Sequence, residues 1–529
     1  MTLALSSLTE DALLEALERT EGKSDVTVVL PPGKLCLEKT VSFRTAAISH
    51  DDGCGDVEEK SAHIYLKGRK NFTLKGSEDG KTVLLARNDG KPQSLKPSVL
   101  WADGCDGLTL ENLEFGFDRP ATFYGTVVDK TENRLVIKPG RDDYPQVLPY
   151  YCMNRFCNGV LTGASLTIGF GFDNTMKKRG DGFFELEDGK VAEKVNTGDD
   201  LSWHLSGLTD FLVYIGNGSN LTLKNIRITD ASGFGMLTES IENINAEHVV
   251  IKPWEGYQSV SRDGWKIFRC SGKVTVSSSH FEGTRMDGQN IHSNYMVITS
   301  ISGNTVTAEM KYAPTPLREN TSVTFYGPGE KGTSKITSWK LLSSEFRTTE
   351  QEREKSAAKA VVGKANRYNT YMIIFTSIPS SVNVGDTLVP DSMNVTEYRI
   401  SDSFFRNIAG AGNMVRAKKA VIERNTYENI MNSAVLIGAE WHTHREGVNP
   451  ESVTIRECRF DNVGFVPRYG DRGCGAVAAV AEGFGDGKVI KSVAVEDCTF
   501  LNLESAGENR NAERFEMNNN RYINVKETI

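Results

Sequence analysis

The sequence predicts an all-β protein folded as a right-handed parallel β-helix, a solenoid, with an N-terminal capping helix and two inserted β-barrel-like modules. A strand-like pattern of eight residues recurs along the chain at nearly constant spacing, and 49 glycines supply turns between short apolar strands. A chain of 529 residues is too long for one ordinary compact core, but it is normal for a solenoid, which grows by adding coils.

The repeat is a strand that ends in Phe, Ile or Tyr. Its first, third and eighth residues are mostly apolar, so one face of each copy is expected to pack inward with a period of two. Uninterrupted copies begin 23 residues apart (244 − 221) or 22 residues apart (420 − 398), as expected for one coil of a β-helix. The copies are LTLENLEF (108–115), LTLKNIRI (221–228), INAEHVVI (244–251), VTVSSSHF (274–281), YRISDSFF (398–405), AVIERNTY (420–427), VTIRECRF (453–460) and VAVEDCTF (493–500).

The segment before the first strands predicts an amphipathic helix. Thr9 or Ser7 can cap its N-terminus, and Leu13, Leu14 and Leu17 fall on one face. A helix followed by a strand, a turn and a second strand suits the open end of a solenoid, which would otherwise expose unpaired backbone groups.

Two long gaps interrupt the repeat, and each contains strands and turns of its own. We expect each gap to form a small β-barrel or β-sandwich inserted between coils. A shorter excursion at 467–487, rich in Gly and Ala, is expected to form a loop over the site. The predicted organisation is an N-terminal cap with the first coils at 1–117, a first insert at 118–206, coils carrying the site at 207–295, a second insert at 296–393 and C-terminal coils at 394–529.

Net charge, hydropathy and the N-terminal segment limit which binding partners and which cellular compartment the sequence predicts. The formal net charge of −8 argues against a nucleic-acid partner, and no segment is long and apolar enough to predict a membrane span. The N-terminal segment lacks the basic region, apolar core and cleavage site of a signal peptide, so we expect a cytoplasmic protein, or a secreted one if a signal has been removed. The sequence leaves open whether copies of the chain form a homo-oligomer.

The nine cysteines are an odd number scattered along the chain, and no CxxC pair occurs. Cys458 and Cys498 occupy matching strand motifs, which predicts reduced thiols stacked in the core. His442 and His444 form an HxH pair, but two ligands without a third are weak support for zinc. We therefore expect neither a metal nor a cofactor.

Two Asp-Gly pairs, at Asp263 and Asp287, mark the stretch that carries the predicted site. Aligning the coils by the turn that follows each long strand places the two aspartates at the same position on successive coils, about 4.8 Å apart. Two such carboxylates suit general acid/base chemistry, or can hold one water between two acceptors. The alternative is that both are turn residues, because Asp is favoured in turns for its side-chain hydrogen bonds.

Further carboxylates, aromatic rings and one arginine fall near this pair when the coils are unrolled. Exposed aromatic rings beside carboxylates are typical of sugar-binding platforms, although the same rings can cover apolar turns. The predicted neighbours are Glu239, Glu440, Glu446, Trp254, Trp265, Trp441 and Arg262.

Three runs of sequence together resemble glycoside hydrolase family 110, the α-1,3-galactosidases. They are GFGMLTESIENINAEHVVIKP, SRDGWKIFRCSGKVTVSSSHFEG and MDGQNIHSNY, and a looser similarity extends from about Leu108 to Phe500. The resemblance implies a right-handed β-helix with β-barrel inserts. It also implies an exo-acting, metal-independent, inverting glycosidase that releases terminal α-galactose.

The resemblance also assigns roles to single residues. Asp263 matches the family's upstream catalytic aspartate, and Asp287 matches the second aspartate of its Asp-Asp pair. Both would act as bases that activate water. Asn290, His292 and Tyr295 match the tail of the motif and are expected to bind substrate.

Two positions depart from the family pattern. Met286 stands where the family's general acid is expected, and Ser293 replaces a glycine. Another carboxyl would have to supply the proton. We expect Glu446, because Trp441 offers a platform for the same sugar, with Glu239 as the rival because its apolar neighbours can raise its pKa.

The leading functional hypothesis is an inverting exo-glycoside hydrolase that releases a terminal α-linked galactose or related sugar from an oligosaccharide or polysaccharide. A second hypothesis is a polysaccharide lyase or epimerase on the same scaffold, because Arg262, Lys266 and Arg285 flank the acidic pair and can neutralise a uronate. A third is a non-catalytic carbohydrate-binding solenoid, which Met286 makes credible.

Overall fold

The computed structural model describes residues 1–45, 58–88, 96–150, 153–163, 174–205, 210–311, 317–327, 329–347, 366–441, 445–470 and 472–529. His442 and His444 lie outside the described residues. The predicted parallel β-helix is confirmed, because strands of successive coils pair in parallel and in register from the N-terminal to the C-terminal end.

The N-terminal segment contains one strand and the predicted helix, ahead of the first coils. The Thr9 side chain caps the helix by accepting a hydrogen bond from the Ala12 N–H. Leu13 and Leu17 are buried in the same apolar cluster as the first strands. No helix among the described residues is long and apolar enough to cross a membrane. The elements are β1 (Thr2–Ala4), α1 (Glu10–Arg19), β2 (Ser24–Val29), β3 (Gly33–Leu37), β4 (Val41–Thr45), β5 (Glu58–Lys67), β6 (Lys70–Lys75), β7 (Thr82–Ala86), β8 (Ser98–Asp103) and β9 (Thr109–Phe117).

The first insert is an eight-stranded antiparallel sheet around its own apolar core. Its elements are β10 (Thr122–Lys130), β11 (Leu135–Pro139), β12 (Val147–Pro149), β13 (Asn154–Cys157), β14 (Val160–Thr162), β15 (Thr175–Lys178), β16 (Phe184–Leu186), α2 (Gly189–Ala192) and β17 (Asp200–His204).

Within the described residues of this insert the sheet runs from β12 to β14 without closing, so the barrel, one of the two expected forms, is not seen there. Strand β14 instead docks on the β-helix. The Leu161 N–H donates to Asn407 Oδ1 at 3.2 Å, and Asn407 Nδ2 donates to the Gly159 carbonyl at 3.0 Å. Leu161 also packs against Met431. The edge that would close a barrel is therefore used to attach the insert.

The middle coils carry the predicted site and end where the second insert begins. Their strands are β18 (Phe211–Gly216), β19 (Ser219–Ile228), β20 (Phe234–Glu239), β21 (Glu242–Ile251), β22 (Trp265–Phe268), β23 (Ser271–Ser277), β24 (His280–Glu282) and β25 (Gln289–Asn294).

The second insert is a closed six-stranded antiparallel barrel, which confirms the predicted barrel for this segment. Its strands pair in the order β26-β27-β30-β29-β28-β31 and surround a separate apolar core. A 3-10 turn at Asp391–Met393 returns the chain to the coils. The strands are β26 (Met296–Ser302), β27 (Thr305–Lys311), β28 (Ser322–Tyr326), β29 (Glu330–Arg347), β30 (Asn366–Phe375) and β31 (Thr387–Pro390).

The C-terminal coils continue the same ladders. Their strands are β32 (Val395–Ser401), β33 (Phe404–Ile408), β34 (Asn413–Val415), β35 (Lys419–Glu423), β36 (Thr426–Ile430), β37 (Val435–Ile437), β38 (Glu446–Gly447), β39 (Ser452–Arg456), β40 (Arg459–Val463), β41 (Val477–Ala479), β42 (Ile490–Glu496), β43 (Thr499–Ser505), β44 (Gly507–Asn509), β45 (Ala512–Asn518) and β46 (Arg521–Glu527).

Each eight-residue repeat is bent at its fifth residue. The first and third residues point inward as predicted, but the fifth adopts a left-handed conformation with φ near +50°, so the repeat turns a corner instead of running straight. After the corner the sixth residue also points inward. Short polar side chains tolerate this backbone region best, and these positions are mostly polar. They include Asn112, Asn225, His248, Ser278, Asp402, Arg424, Glu457 and Asp497.

The last residues of the five repeats from 274–281 onward, together with Tyr522, build an aromatic stack inside the β-helix. Neighbouring rings lie 4.8 to 5.4 Å apart between centroids and are nearly parallel. Rings at this separation attract one another beyond the burial of their surface. The stack consists of Phe281, Phe405, Tyr427, Phe460, Phe500 and Tyr522.

The sixth position of the repeat carries a polar ladder. Each side chain accepts a hydrogen bond from the backbone N–H of the preceding coil, so the bend leaves no N–H unpaired along it. The ladder runs through Ser279, Ser403, Asn425, Cys458, Cys498 and Asn520. Cys458 and Cys498 are free, buried thiols, as predicted, and burial raises the pKa of Cys458.

Replacing one ladder residue tests whether these hydrogen bonds stabilise the folded chain. We expect Asn425→Ala to reduce the free energy of unfolding by about 1–3 kcal/mol, because the Ser403 N–H, which donates to Asn425 Oδ1 at 2.8 Å, loses its buried acceptor. Urea unfolding of the whole chain measures this. Lys419→Ala, at an exposed position of β35, the strand that precedes Asn425, is the control and should change stability by less than about 0.5 kcal/mol. Equal effects of the two changes would contradict the ladder.

Candidate active site

The predicted alignment of the two Asp-Gly pairs is confirmed by backbone hydrogen bonds. The Gly235 N–H donates to the Asp263 carbonyl at 3.2 Å, and the Gly264 N–H donates to the Asp287 carbonyl at 2.9 Å. Asp263 and Asp287 therefore occupy the same position on successive coils. Glycine is needed beside them, since a Cβ on Gly264 would lie 2.6 Å from the Gly288 carbonyl oxygen.

The two carboxylates converge on one amide. Asn290 projects from the outer face of β25, and its Nδ2 lies 3.3 Å from Asp263 Oδ2 and 3.5 Å from Asp287 Oδ2. The Asp287 N–H also points at Asp263 Oδ1 at 3.4 Å. All three side chains are buried, and Asn290 Oδ1 has no hydrogen-bond partner within the part of the chain that the structure describes. That oxygen can accept a hydrogen bond from a ligand hydroxyl.

The second oxygen of Asp287 is held from two other directions. The Ala411 N–H donates to Asp287 Oδ1 at 2.8 Å, and Arg468 Nη1 lies 2.9 Å from the same atom. Arg468 belongs to the loop between β40 and β41, within the excursion predicted to lie over the site. The geometry leaves Asp287 Oδ2 facing Asn290.

A chain of alternating charges continues from Arg468. Its Nη2 lies 3.6 Å from Glu440 Oε1, which also receives Arg416 Nη2 at 3.1 Å and the hydroxyl hydrogen of Tyr469. Burial and the Glu440 charge raise the pKa of Tyr469, which keeps its hydroxyl protonated and able to donate. Arg416 is fully buried, and its guanidinium bridges the buried carboxylates of Glu440 and Glu446.

Glu446 lies beside the same coil as Asp287, not several coils beyond it as expected. The segment before β39 turns back, and β38 pairs antiparallel with the end of β25, which sets Glu446 opposite Asn294. Its carboxylate contacts Arg416, lies 3.2 Å from His292 Nε2 and lies 3.7 Å from Lys266 Nζ. Neighbouring cations favour the ionised carboxylate, so these surroundings argue against the prediction that Glu446 donates a proton.

Glu239 lies one coil before Asp263 and farther along its strand. It is buried, accepts a hydrogen bond from the Tyr214 hydroxyl at 3.1 Å and stands in register with Phe268. Tyr214 and Phe268 belong to an apolar cluster on this face of the β-helix. Burial, followed by the Glu239 charge, raises the pKa of Tyr214.

Trp265 does not reach the site, and its predicted contact with sugar is wrong. Its ring is in the β-helix core with no exposed surface, and Nε1 donates to Thr238 Oγ1 at 3.2 Å. The next residue, Lys266, faces outward in register with Asn290. Lys266 Nζ lies 5.5 Å from the centre of the Phe234 ring.

Arg262 also lies close to the Phe234 ring. Its guanidinium carbon is 5.4 Å from the centre of the Phe234 ring, and its carbonyl accepts the Met286 N–H at 3.3 Å. Arg262 is therefore next to the position where the family's general acid is expected.

The remaining predicted aromatic residues have structural partners. Tyr295 stacks on Trp441 at 4.9 Å, and its hydroxyl donates to the Glu440 and Trp441 carbonyls, so it anchors that turn instead of facing a ligand. Trp254 is 45% exposed, and its ring contacts Lys34 of β3 at 5.7 Å, while no described contact joins it to the site carboxylates.

Three residues of the charge chain were missed by the sequence reasoning, namely Arg416, Arg468 and Tyr469. Two of them lie in the excursion at 467–487, whose expected place over the site was the only available signal. Nothing in the sequence around Arg416 distinguishes it from an ordinary strand-end arginine.

Comparison with known proteins adds sequence relatives. No protein-family profile matches the chain. The chain is 22% identical to α-1,3-galactosidase A of Bacteroides thetaiotaomicron over 474 residues, covering 83% of this chain and 76% of that protein. It is 22% identical to α-1,3-galactosidase B of the same organism over 443 residues, covering 77% and 65%. A 24% match to α-1,3-galactosidase A of Bacteroides fragilis covers 47% of this chain and only 39% of the relative.

Solved structures align with the chain at low similarity. The catalytic domain of a GH87 α-1,3-glucanase aligns with a TM-score of 0.40 and 11% identity, over 99% of this chain and 58% of that one. An exopolygalacturonase from Thermotoga maritima aligns with a TM-score of 0.31 and 8% identity, over 98% and 92%. By its sequence relatives, the chain resembles the α-1,3-galactosidases of glycoside hydrolase family 110, at low identity over most of its length.

Proposed function

We propose that the protein is an inverting exo-glycoside hydrolase that removes a terminal α-linked galactose or a closely related sugar. The observation that carries this proposal is the pair of buried carboxylates, Asp263 and Asp287, whose Oδ2 atoms share the amide nitrogen of Asn290. The similarity to α-1,3-galactosidases supports the choice of sugar.

The pair suits the activation of one water. Water placed between the two Oδ2 atoms can donate a hydrogen bond to each, and one carboxylate takes its proton as the oxygen attacks the anomeric carbon. The bond from that carbon to the leaving oxygen breaks, and a separate acid must protonate this oxygen. The two aspartates are too close to act as acid and base on opposite faces of a sugar, since such pairs are about 6.5–9.5 Å apart.

The surroundings of the pair favour a pocket over an open groove. The second insert begins directly after Tyr295, and its Glu309 pairs with Arg445 of the turn beside Glu446 at 3.2 Å. Arg468 reaches Asp287 from the loop between β40 and β41. Side chains from two segments outside the coils therefore border the site, which suits the binding of a chain end, the requirement for exo action.

The direct test is hydrolysis of aryl α-galactosides and of oligosaccharides ending in galactose linked α-1,3 to galactose, followed by proton NMR of the first-formed sugar. Inversion predicts that β-galactose appears first and mutarotates later. First-formed α-galactose would contradict inversion, and no hydrolysis of either substrate would contradict the proposed function.

A second candidate, a uronate lyase or epimerase, is favoured by Lys266 and Arg262, the two cations beside the Phe234 ring. Such chemistry needs a cation to neutralise the sugar carboxylate and a base to remove the proton at C5. A rise in absorbance near 232 nm with uronate polymers, caused by the new double bond of a lyase product, would favour the lyase over a hydrolase.

The proton donor can be identified by comparing two substitutions. We propose Glu239, the other carboxyl group that the sequence predicts as a proton donor, which is buried one coil before Asp263. We expect Glu239→Gln to suppress hydrolysis of natural glycosides roughly 10²–10⁴-fold but to spare dinitrophenyl galactoside, whose leaving group needs no protonation. We expect Glu446→Gln to impair both substrates to a similar extent, because Glu446 holds Lys266 and His292. The reverse pattern would restore Glu446 as the acid.

A further inference from the structure

The contact between Arg468 and Asp287 joins a loop to the floor of the site across 181 residues of sequence. Arg468 Nη1 lies 2.9 Å from Asp287 Oδ1, and the side chains are 18% and 1% exposed. At this distance the guanidinium and the carboxylate form a charge-assisted hydrogen bond, which fixes the orientation of both side chains.

The loop that carries Arg468 is tied down at its base and near its far end. The Val466 N–H donates to the Met431 carbonyl at 2.8 Å, and Asn432 Nδ2 donates to the Val466 carbonyl at 2.8 Å. Beyond Arg468, the N–H groups of Gly473 and Cys474 donate to Glu508 Oε2. The guanidinium therefore extends from a backbone that is held in place.

The contact also selects which oxygen of Asp287 is free. Oδ1 accepts the Ala411 N–H at 2.8 Å and pairs with Arg468, so its acceptor capacity is occupied. Oδ2 faces Asn290 Nδ2 at 3.5 Å and is the oxygen directed toward Asp263.

We propose that Arg468 is a positioning residue, whose guanidinium holds the Asp287 carboxylate so that Oδ2 faces the attacking water and can take a proton from it. This inference rests on the proposed hydrolase function. Arg468 does not itself need to contact the sugar. Its role extends the reaction machinery to the loop between β40 and β41. The charged and titratable groups around the contact are Asp263, Arg262, Glu440, Tyr469 and Arg416.

The test uses Arg468→Met and Arg468→Lys in the full chain, with Arg459→Met as the control. Arg459 is an exposed arginine on the neighbouring strand that pairs with Asp461 at 2.7 Å. With dinitrophenyl α-galactoside, which needs no acid, we expect Arg468→Met to lower kcat about 100-fold while KM changes less than about twofold. Arg468→Lys should recover part of the loss, because it restores the charge but not the fork geometry.

The folded fraction of each variant, measured by circular dichroism, separates positioning from simple support of the fold. A loss of kcat in Arg468→Met that only matches its loss of folded protein, or a kcat equal to that of Arg459→Met, would overturn the proposal.

A measurement of thermal stability, which does not depend on turnover, tests this inference separately from the proposed function. The shifts in Tm of Arg468→Met, Asp287→Asn and the double variant form a double-mutant cycle. If the wild type hydrolyses no glycoside but the Tm shifts of the variants are non-additive, Arg468 still orders Asp287. Only the proposed function has then failed. Additive shifts would overturn the role of Arg468 whatever the activity.

Discussion

Asp263→Asn and Asp287→Asn should each reduce kcat on α-galactosides by roughly 10²–10⁴-fold while the chain remains folded. Each change keeps the shape of the side chain but removes the charge that accepts a proton from water. The Asn290 amide donates toward both carboxylates, so either amide replacement also disturbs the shared hydrogen-bond geometry. Initial rates at saturating substrate and the Tm of each variant measure the two effects.

Asp402→Asn is the matched control for the aspartate variants. Asp402 also stands on a coil of the β-helix, but it is exposed, pairs with Arg424 and has a left-handed backbone that asparagine tolerates. Its activity should equal that of the wild type. If Asp263→Asn and Asp287→Asn both retain sugar binding and the wild type shows no turnover, the carbohydrate-binding solenoid becomes the better description.

Arg416→Met should destabilise the folded chain by about 3–5 kcal/mol, because removing one partner leaves buried carboxylates without their cation. Arg416 contacts both Glu440 and Glu446, and neither glutamate is exposed. Its Nε also donates to the Gly438 carbonyl at 2.9 Å, which methionine cannot replace. Denaturant unfolding of the full chain measures the loss.

Two further variants show whether the loss comes from charge. Arg459→Met removes an exposed ion pair and should cost less than about 1 kcal/mol. A triple change of Arg416→Met, Glu440→Gln and Glu446→Gln should recover part of the stability, because it leaves no unbalanced carboxylate at these three positions. A cost for Arg416→Met no larger than that of Arg459→Met would show that the charge chain does not hold this end of the site.

The pairing of Asp263 with Asp287 could be predicted because a solenoid converts sequence spacing into spatial register. Once the coils are aligned by their turns, residues at one position must stack at the strand separation. The sequence contains both the period and the Asp-Gly marker, so no tertiary information is needed. The inward aromatic stack and the buried Cys458 and Cys498 follow from the same register.

The failure at Trp265 has a local cause. Counting with a period of two from Asp263 places Trp265 on the same outer face. In the structure Asp263 and Lys266 both face outward, three residues apart. The two residues between them, Gly264 and Trp265, both face the core, so the alternation is broken by one residue. An irregularity of one residue reverses the side chains that follow, as for any slip of strand register.

By itself, the sequence determined the parallel β-helix, the two places where it is interrupted and the alignment of Asp263 with Asp287, because each depends on periodicity along the chain. Only the tertiary structure decided how the first insert ends, where Glu446 lies and which cations surround the carboxylates. Those outcomes depend on segments outside the repeat: β14 docks on a coil, β38 turns back along β25, and the loop with Arg468 crosses to Asp287. Such segments have no period that records their destination, and the packing that holds them arises only after the coils have formed.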